Sequence, residues 1–122
     1  MRFRAVALAA AAALAAVSNA AGVNSMALPK LHGTVGPGFT ISLKDAQGKA
    51  VKTLTHGKYT FVVQDKASIH NFTLNGPGIT NKTITGTIFV GTKTVTLTLK
   101  KGTYTFLCTV HPTTVTGKFK VT

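Results

Sequence analysis

Gly102-Thr103-Tyr104-Thr105-Phe106-Leu107-Cys108-Thr109-Val110-His111-Pro112 is the stretch on which the reading of this chain turns. Successive side chains of an extended strand point to opposite faces, so Tyr104, Phe106 and Cys108 share one face while Thr103, Thr105 and Leu107 take the other. The glycine before the run and the proline after it bound a short, half-buried β-strand. The thiol then points inward from the strand's end, three residues ahead of a histidine.

The same texture spreads outward from this strand. Phe39, Ile41 and Leu43 alternate with Thr40, Ser42 and Lys44, and Asp45-Ala46-Gln47-Gly48 makes a turn. Tyr59, Phe61 and Val63 form another apolar face. Val95, Leu97 and Leu99 alternate with threonines, and Phe119 and Val121 close the chain. Short period-2 runs rich in β-branched residues and cut by glycine predict an all-β, antiparallel β-sandwich. No helical stripe, internal repeat or second domain stands out. Residues 31–122 are read as one domain. Residues 21–30, small and polar and ending in Leu28-Pro29-Lys30, read as a flexible leader. Residues 1–20 read as a secretory signal peptide: Arg2 and Arg4, a short apolar run at 5–17, and the small-residue site Ser18-Asn19-Ala20. They predict a Sec-type route to the periplasm or the outside.

The charge is lopsided. Fourteen Lys and Arg face two acids, Asp45 and Asp65. Such a surface favours acidic partners and contact with anionic cell-surface lipid or polymer. Nucleic acid is a poor match, because the lysines are scattered, arginine stops at Arg4 and no nucleic-acid motif is present. With two acids in the chain, no catalytic Ser-His-acid set can be assembled on any known motif, and the chain is read as a non-enzyme.

Cys108 is the only cysteine. In an exported protein an unpaired thiol joins another chain, stays reactive or binds a metal. His111 stands beside it in sequence, and His70 shares a strand face with Phe72 and Leu74. Two strand ends can therefore aim an imidazole and a thiolate into one interior corner. A His₂Cys set is the pattern of a mononuclear blue-copper site, and zinc competes for the same ligands. His32 and His56 are read as solvated side chains. Asn71-Phe72-Thr73 and Asn81-Lys82-Thr83 match the glycosylation pattern by chance, and Asn75-Gly76-Pro77-Gly78 reads as a turn over the metal end.

Three segments together resemble the cupredoxin family, in particular small bacterial plastocyanin-like proteins. They are Asp65-Lys66-Ala67-Ser68-Ile69-His70-Asn71-Phe72-Thr73-Leu74-Asn75-Gly76-Pro77-Gly78, the run from Gly102 to Pro112, and Gly117-Lys118-Phe119. The resemblance covers residues 31–122 and implies a Greek-key sandwich holding one copper ion that cycles between Cu(I) and Cu(II). It implies His70, Cys108 and His111 as ligands, and Asn71 bonding across to Thr109 with its backbone N–H toward the sulfur. The chain is then read as a monomer carrying single electrons to a redox partner with an acidic surface: the exposed edge of His111 is the electron port, Leu74, Pro77, Ile79 and Pro112 form an apolar rim, and lysines farther out steer the partner. One position departs from the pattern. Where relatives with a related loop carry an axial methionine, this chain has Val115, and its methionines are Met1 and Met26. Three readings follow: an apolar axial neighbour, a distant contact from the Ile69 carbonyl, or a chain that has left redox work, either as a copper-binding, trafficking or metal-uptake accessory module with no electron relay or as a metal-free structural or adhesion sandwich, against which His70 and the Cys108/His111 pair argue.

Overall fold

The computed structural model describes residues 27–122. The signal-peptide segment and most of the leader lie outside the described residues. Nine strands follow in order: β1 (Lys30–Val35), β2 (Ile41–Lys44), β3 (Thr53–Leu54), β4 (Gly57–Asp65), β5 (Phe72–Gly76), β6 (Ile79–Thr85), β7 (Gly91–Leu99), β8 (Gly102–Leu107) and β9 (Thr116–Val121). They form two sheets, β2-β1-β4-β7 and β3-β9-β8-β5-β6. Among the described residues there is no helix. The chain is a β-sandwich. The first strand begins at Lys30, one residue ahead of the expected domain boundary, because its register with β4 starts at Lys30 opposite Thr60.

Most strand pairs are antiparallel, but β1 runs parallel to β4 and β3 runs parallel to β9. After β2 the chain crosses to the other sheet as β3 and returns as β4 beside β1, so β4 arrives with the direction of β1. Side-chain alternation has period two in either orientation, so the sequence pattern does not separate the two cases.

The inward faces are those the alternation picks out. Tyr59, Phe61 and Val63 from β4, Phe72 and Leu74 from β5, Tyr104 and Phe106 from β8, and Phe119 and Val121 from β9 are all buried. Phe72 and Phe106 stack with centroids 5.9 Å apart, and Tyr104 and Phe119 stack at 5.3 Å. Each such side chain contributes about 1.5–3 kcal/mol when fully withdrawn from water. Two glycines make this packing possible. A Cβ on Gly76 would collide with the Tyr104 ring, and one on Gly117 with the Phe106 ring. Val95 and Leu97 are only half-buried, because β7 is an edge strand of its sheet.

Registers fix the two ends of the sandwich. β1, β4, β6 and β8 finish at one end, where Val35, Asp65 and Gly91 come level. At the opposite end β4 starts at Gly57 beside Leu99, and β8 starts at Gly102 beside Val121. His70 precedes β5 and Cys108 follows β8, so both belong to the first end. The Gly76–Ile79 turn belongs to the opposite end, where Pro77 packs on Gly102 and its carbonyl accepts from the Tyr104 hydroxyl at 2.8 Å. The expectation that this turn lies over the metal end is therefore corrected. β5 runs away from His70, so the residues after it are carried to the far end.

Candidate metal centre

His70 is delivered by the connection between β4 and β5. Alternation along β4 turns Asp65 inward after Val63, and its Oδ1 accepts the Ala67 N–H at 3.2 Å. The Lys66 N–H donates to the Val35 carbonyl and the His70 N–H to the Ala67 carbonyl. This compact turn places a fully buried imidazole. Its Nε2 lies 2.9 Å from the Gly38 carbonyl. A carbonyl only accepts, so Nε2 carries the proton and Nδ1 carries the lone pair. Nδ1 is buried with no hydrogen-bond partner. A buried polar atom left unpaired costs about 1–3 kcal/mol. A lone pair held so in a fixed tautomer is the expected state of a ligand.

Cys108 follows the last residue of β8 on the inward face and is fully buried as a free thiol. Its Sγ accepts the backbone N–H of Asn71 at 3.3 Å and lies 3.8 Å from His111 Nδ1. The loop from 108 to 115 is closed on itself. The Cys108 N–H donates to the Val115 carbonyl, and the His111 N–H to the Cys108 carbonyl. The Val115 N–H donates in turn to the His111 carbonyl. The loop thus presents cysteine and histidine from one tight turn, with His111 half-buried and Val115 fully buried. The ligand atoms of His70, Cys108 and His111 all lie within 4.8 Å of one another.

Asn71 ties the two ligand segments together. Its Oδ1 accepts from the Thr109 N–H at 3.1 Å and the Thr73 hydroxyl at 2.9 Å. Its Nδ2 donates to Thr109 Oγ1 at 2.9 Å and Thr87 Oγ1 at 3.1 Å. Every amide position is used, which fixes the segments that carry the ligands. Asn71→Ala is therefore expected to lower stability by about 2–4 kcal/mol in urea unfolding, since it orphans several groups at once. The sulfur contact should survive, because its donor is backbone.

Phe39 is the residue that reasoning from sequence misplaced. Alternation grouped it with Ile41 and Leu43, but β2 starts at Ile41 and Phe39 sits in the preceding loop, 55% exposed. Its ring meets His70 edge-on at 5.4 Å and lies tilted over His111 at 4.7 Å. The signal was present in Gly36-Pro37-Gly38, turn residues that end one strand before Phe39. The expected apolar rim is also revised. Leu74 is a core residue with no exposure. Pro77 and Ile79 lie at the far end, as the turn that holds them does. Of that set Pro112 alone lies by the site, next to His111 and exposed. The exposed large apolar residues at this end are Phe39, Ile69, Ile88, Val90 and Val110. His32 is exposed on β1, and His56 bonds the Thr122 carbonyl at the opposite end. Neither joins the cluster.

No family model and no curated protein matches the chain by sequence. Solved structures do. The chain is similar to auracyanin A, a blue copper protein from the green thermophilic photosynthetic bacterium Chloroflexus aurantiacus, at 21% identity and TM-score 0.52 over 76% of this chain and 98% of that one. It is similar to a variant of rusticyanin in which a methionine is replaced by glutamine, at 23% identity and TM-score 0.51 over 76% of each chain. It is also similar to a reduced tryptophan-to-tyrosine variant of amicyanin, at 16% identity and TM-score 0.50 over 81% of this chain and 88% of that one. The two-sheet strand order and these similarities agree: the chain has the cupredoxin fold.

Proposed function

We propose that this chain binds one copper ion through His70 Nδ1, Cys108 Sγ and His111 Nδ1 and carries single electrons as an exported, monomeric protein. One observation carries the reading: a buried His70 Nδ1 with no partner, its tautomer set by the Gly38 carbonyl, faces a thiol and a second imidazole. The donor set fits the group. Two imidazoles and one thiolate suit both oxidation states of copper, and copper held there supplies a one-electron couple. The protein's part is to hold the ligands still. His70 is pinned by Gly38, the sulfur by the Asn71 N–H, and the loop of Cys108 and His111 by its own backbone bonds. Ligands that do not rearrange when charge changes keep the cost of electron transfer low.

His111 is the half-buried member of the set, while His70 and Cys108 are fully buried, so its imidazole edge is the one ligand surface turned toward solvent. Phe39, Val110 and Pro112 surround it with apolar surface on which a redox partner docks. Lys66 and Lys93 stand at the same end and answer to acidic groups on that partner. The signal-peptide reading of residues 1–20 supports a periplasmic or secreted location.

A second reading keeps copper and drops the relay: a copper-trafficking or uptake accessory module. Val115 favours it, because no methionine lies among residues 27–122 to complete an axial position.

Titration of the purified protein with Cu(II) tests the first reading. One equivalent should produce an intense visible thiolate-to-copper band and a matching paramagnetic-resonance signal. The loaded protein should melt higher than the apo protein, by an increment that grows with free copper, since the ion binds the folded state and hardly the unfolded one. A colourless one-to-one complex would count against the ligand assignment. A coloured complex without a reversible one-electron couple would favour the trafficking module.

A further inference from the structure

The twelve lysines are not spread evenly over the sandwich. Lys100 and Lys101 form the turn from β7 to β8 at the end away from the ligand cluster, and Lys58 stands on β4 opposite Thr98 at the same end. Lys30 opens β1, Lys120 lies opposite Thr103 near the end of β9, and the Lys52 carbonyl accepts the Lys120 N–H. All six are exposed. The ligand end has Lys66, just after β4, and Lys93, opposite Val63. Of the other four, Lys44 lies opposite His32, Lys82 opposite Leu74 and Lys118 opposite Thr105, between the two ends, and the Lys49 carbonyl accepts the Asp45 N–H in the turn after β2. The exposed large apolar residues divide the other way: all but Leu28 lie at the ligand end. The molecule is polarised, with cations at one end and an apolar surface with the ligand cluster at the other.

We propose that the lysine end docks on the anionic headgroups of a phospholipid bilayer and holds the ligand end away from it, toward soluble partners. Three observations favour lipid over other polyanions. First, the cations sit on strand ends and a short turn, forming a broad surface that adapts to a diffuse field. Second, all of them are lysine. Compact ammonium charges on flexible stems suit a headgroup layer, whereas bidentate recognition of particular phosphates or carboxylates relies on arginine, which is absent after Arg4. Third, the chain enters the fold at this end: Lys30 begins β1 there and exposed Leu28 precedes it, which sets an apolar side chain beside the cations, as the interface of a bilayer accommodates and an acidic polymer does not. The inference uses no ligand residue and stands or falls independently of copper.

Vesicle co-sedimentation of the exported form, the chain without residues 1–20, tests it. Phosphatidylcholine vesicles give the uncharged background, and vesicles containing about a third phosphatidylglycerol give the added electrostatic part. Each lysine close to an anionic surface strengthens binding about five-fold. The variant Lys58→Gln, Lys100→Gln, Lys101→Gln should therefore lose about a hundred-fold in the added part, while Lys66→Gln, Lys93→Gln should change it by less than about two-fold. Both the binding and the contrast should fade as salt shortens the Debye length. The chain has no tryptophan, so single insertions report orientation. Brominated anionic lipid should quench Thr103→Trp at the lysine end and spare Val110→Trp at the ligand end. The proposal is overturned if neutral vesicles bind equally well, if the two lysine variants weaken binding equally per charge, or if Val110→Trp is the quenched probe. Retention on polyglutamate with no added binding to anionic vesicles would overturn it in favour of an acidic polymer.

Discussion

Cys108→Ser is expected to abolish the intense visible band of the copper-loaded protein and to weaken copper binding by orders of magnitude, while the apo domain stays folded. The band requires a thiolate, and Cys108 is the only sulfur among residues 27–122. A serine hydroxyl stays protonated near neutral pH and is a poor ligand for Cu(I). Cys108 is fully buried, and no other thiol or thioether lies among residues 27–122 to replace it. The fold should tolerate the change, because serine is close in size and its oxygen can accept the Asn71 N–H that now donates to sulfur. The cost to apo stability should be about 1–2 kcal/mol, the usual scale for one altered buried polar contact. Optical titration beside His32→Ala, an exposed histidine on β1, separates loss of the ligand from general damage. Colour that survives in Cys108→Ser, or disappears in His32→Ala, would remove Cys108 from the site.

The sandwich was legible because its evidence is local. Tyr104, Phe106 and Cys108 alternate with threonine and leucine, and the same period marks Tyr59, Phe61 and Val63, all buried in the structure. The ligand cluster was legible for a related reason. Alternation puts His70 and Cys108 on inward faces, and the run from Cys108 to His111 is too short to separate its two ends. The directions of β1 and β3 against their neighbours were not legible, since a period of two is blind to strand direction. Nor was the end to which each loop belongs. The Gly76–Ile79 turn lies close to His70 in sequence, yet β5 carries it the length of the sandwich. Leu74, Pro77 and Ile79 were misplaced for that reason, and Phe39, far from the ligands in sequence, stands over both imidazoles.

Asp65 shows the other limit of reading composition. As one of two acids it looks like a counter-charge to the lysines. In the fold it is 1% exposed, with Oδ1 on the Ala67 N–H and Oδ2 without a partner. Its work is local: it shapes the turn that delivers His70. Charge counting cannot separate this use from a surface ion pair. Alternation along β4 can, because it puts residue 65 on the same inward face as Phe61 and Val63.

Val115→Met is expected to lower the reduction potential while keeping the visible band. Val115 is fully buried, and backbone bonds tie it to Cys108 through its carbonyl and to His111 through its N–H. On the proposed reading its side chain lines the axial side of the site. Valine has no lone pair, and its branched apolar surface excludes water from that side. Both properties disfavour Cu(II), the more highly charged state. A thioether donates weakly and offsets part of that penalty, so the oxidised state gains and the potential falls. Each factor of ten in the ratio of Cu(II) to Cu(I) affinity moves a one-electron potential by about 59 mV. A weak axial donor should therefore produce a shift of tens of millivolts. The band should persist because His70, Cys108 and His111 are unchanged. Apo stability supplies an independent check. If residue 115 packs wholly within the core, the longer side chain overfills it at a cost of about 1–3 kcal/mol. If it faces the ligand cluster, the thioether extends toward the donors and the apo melting temperature barely moves. A lower potential with little loss of apo stability places residue 115 beside the copper. An unchanged or higher potential, with a destabilised apo protein, assigns Val115 to the core and leaves the copper trigonal, with no side chain at the axial position.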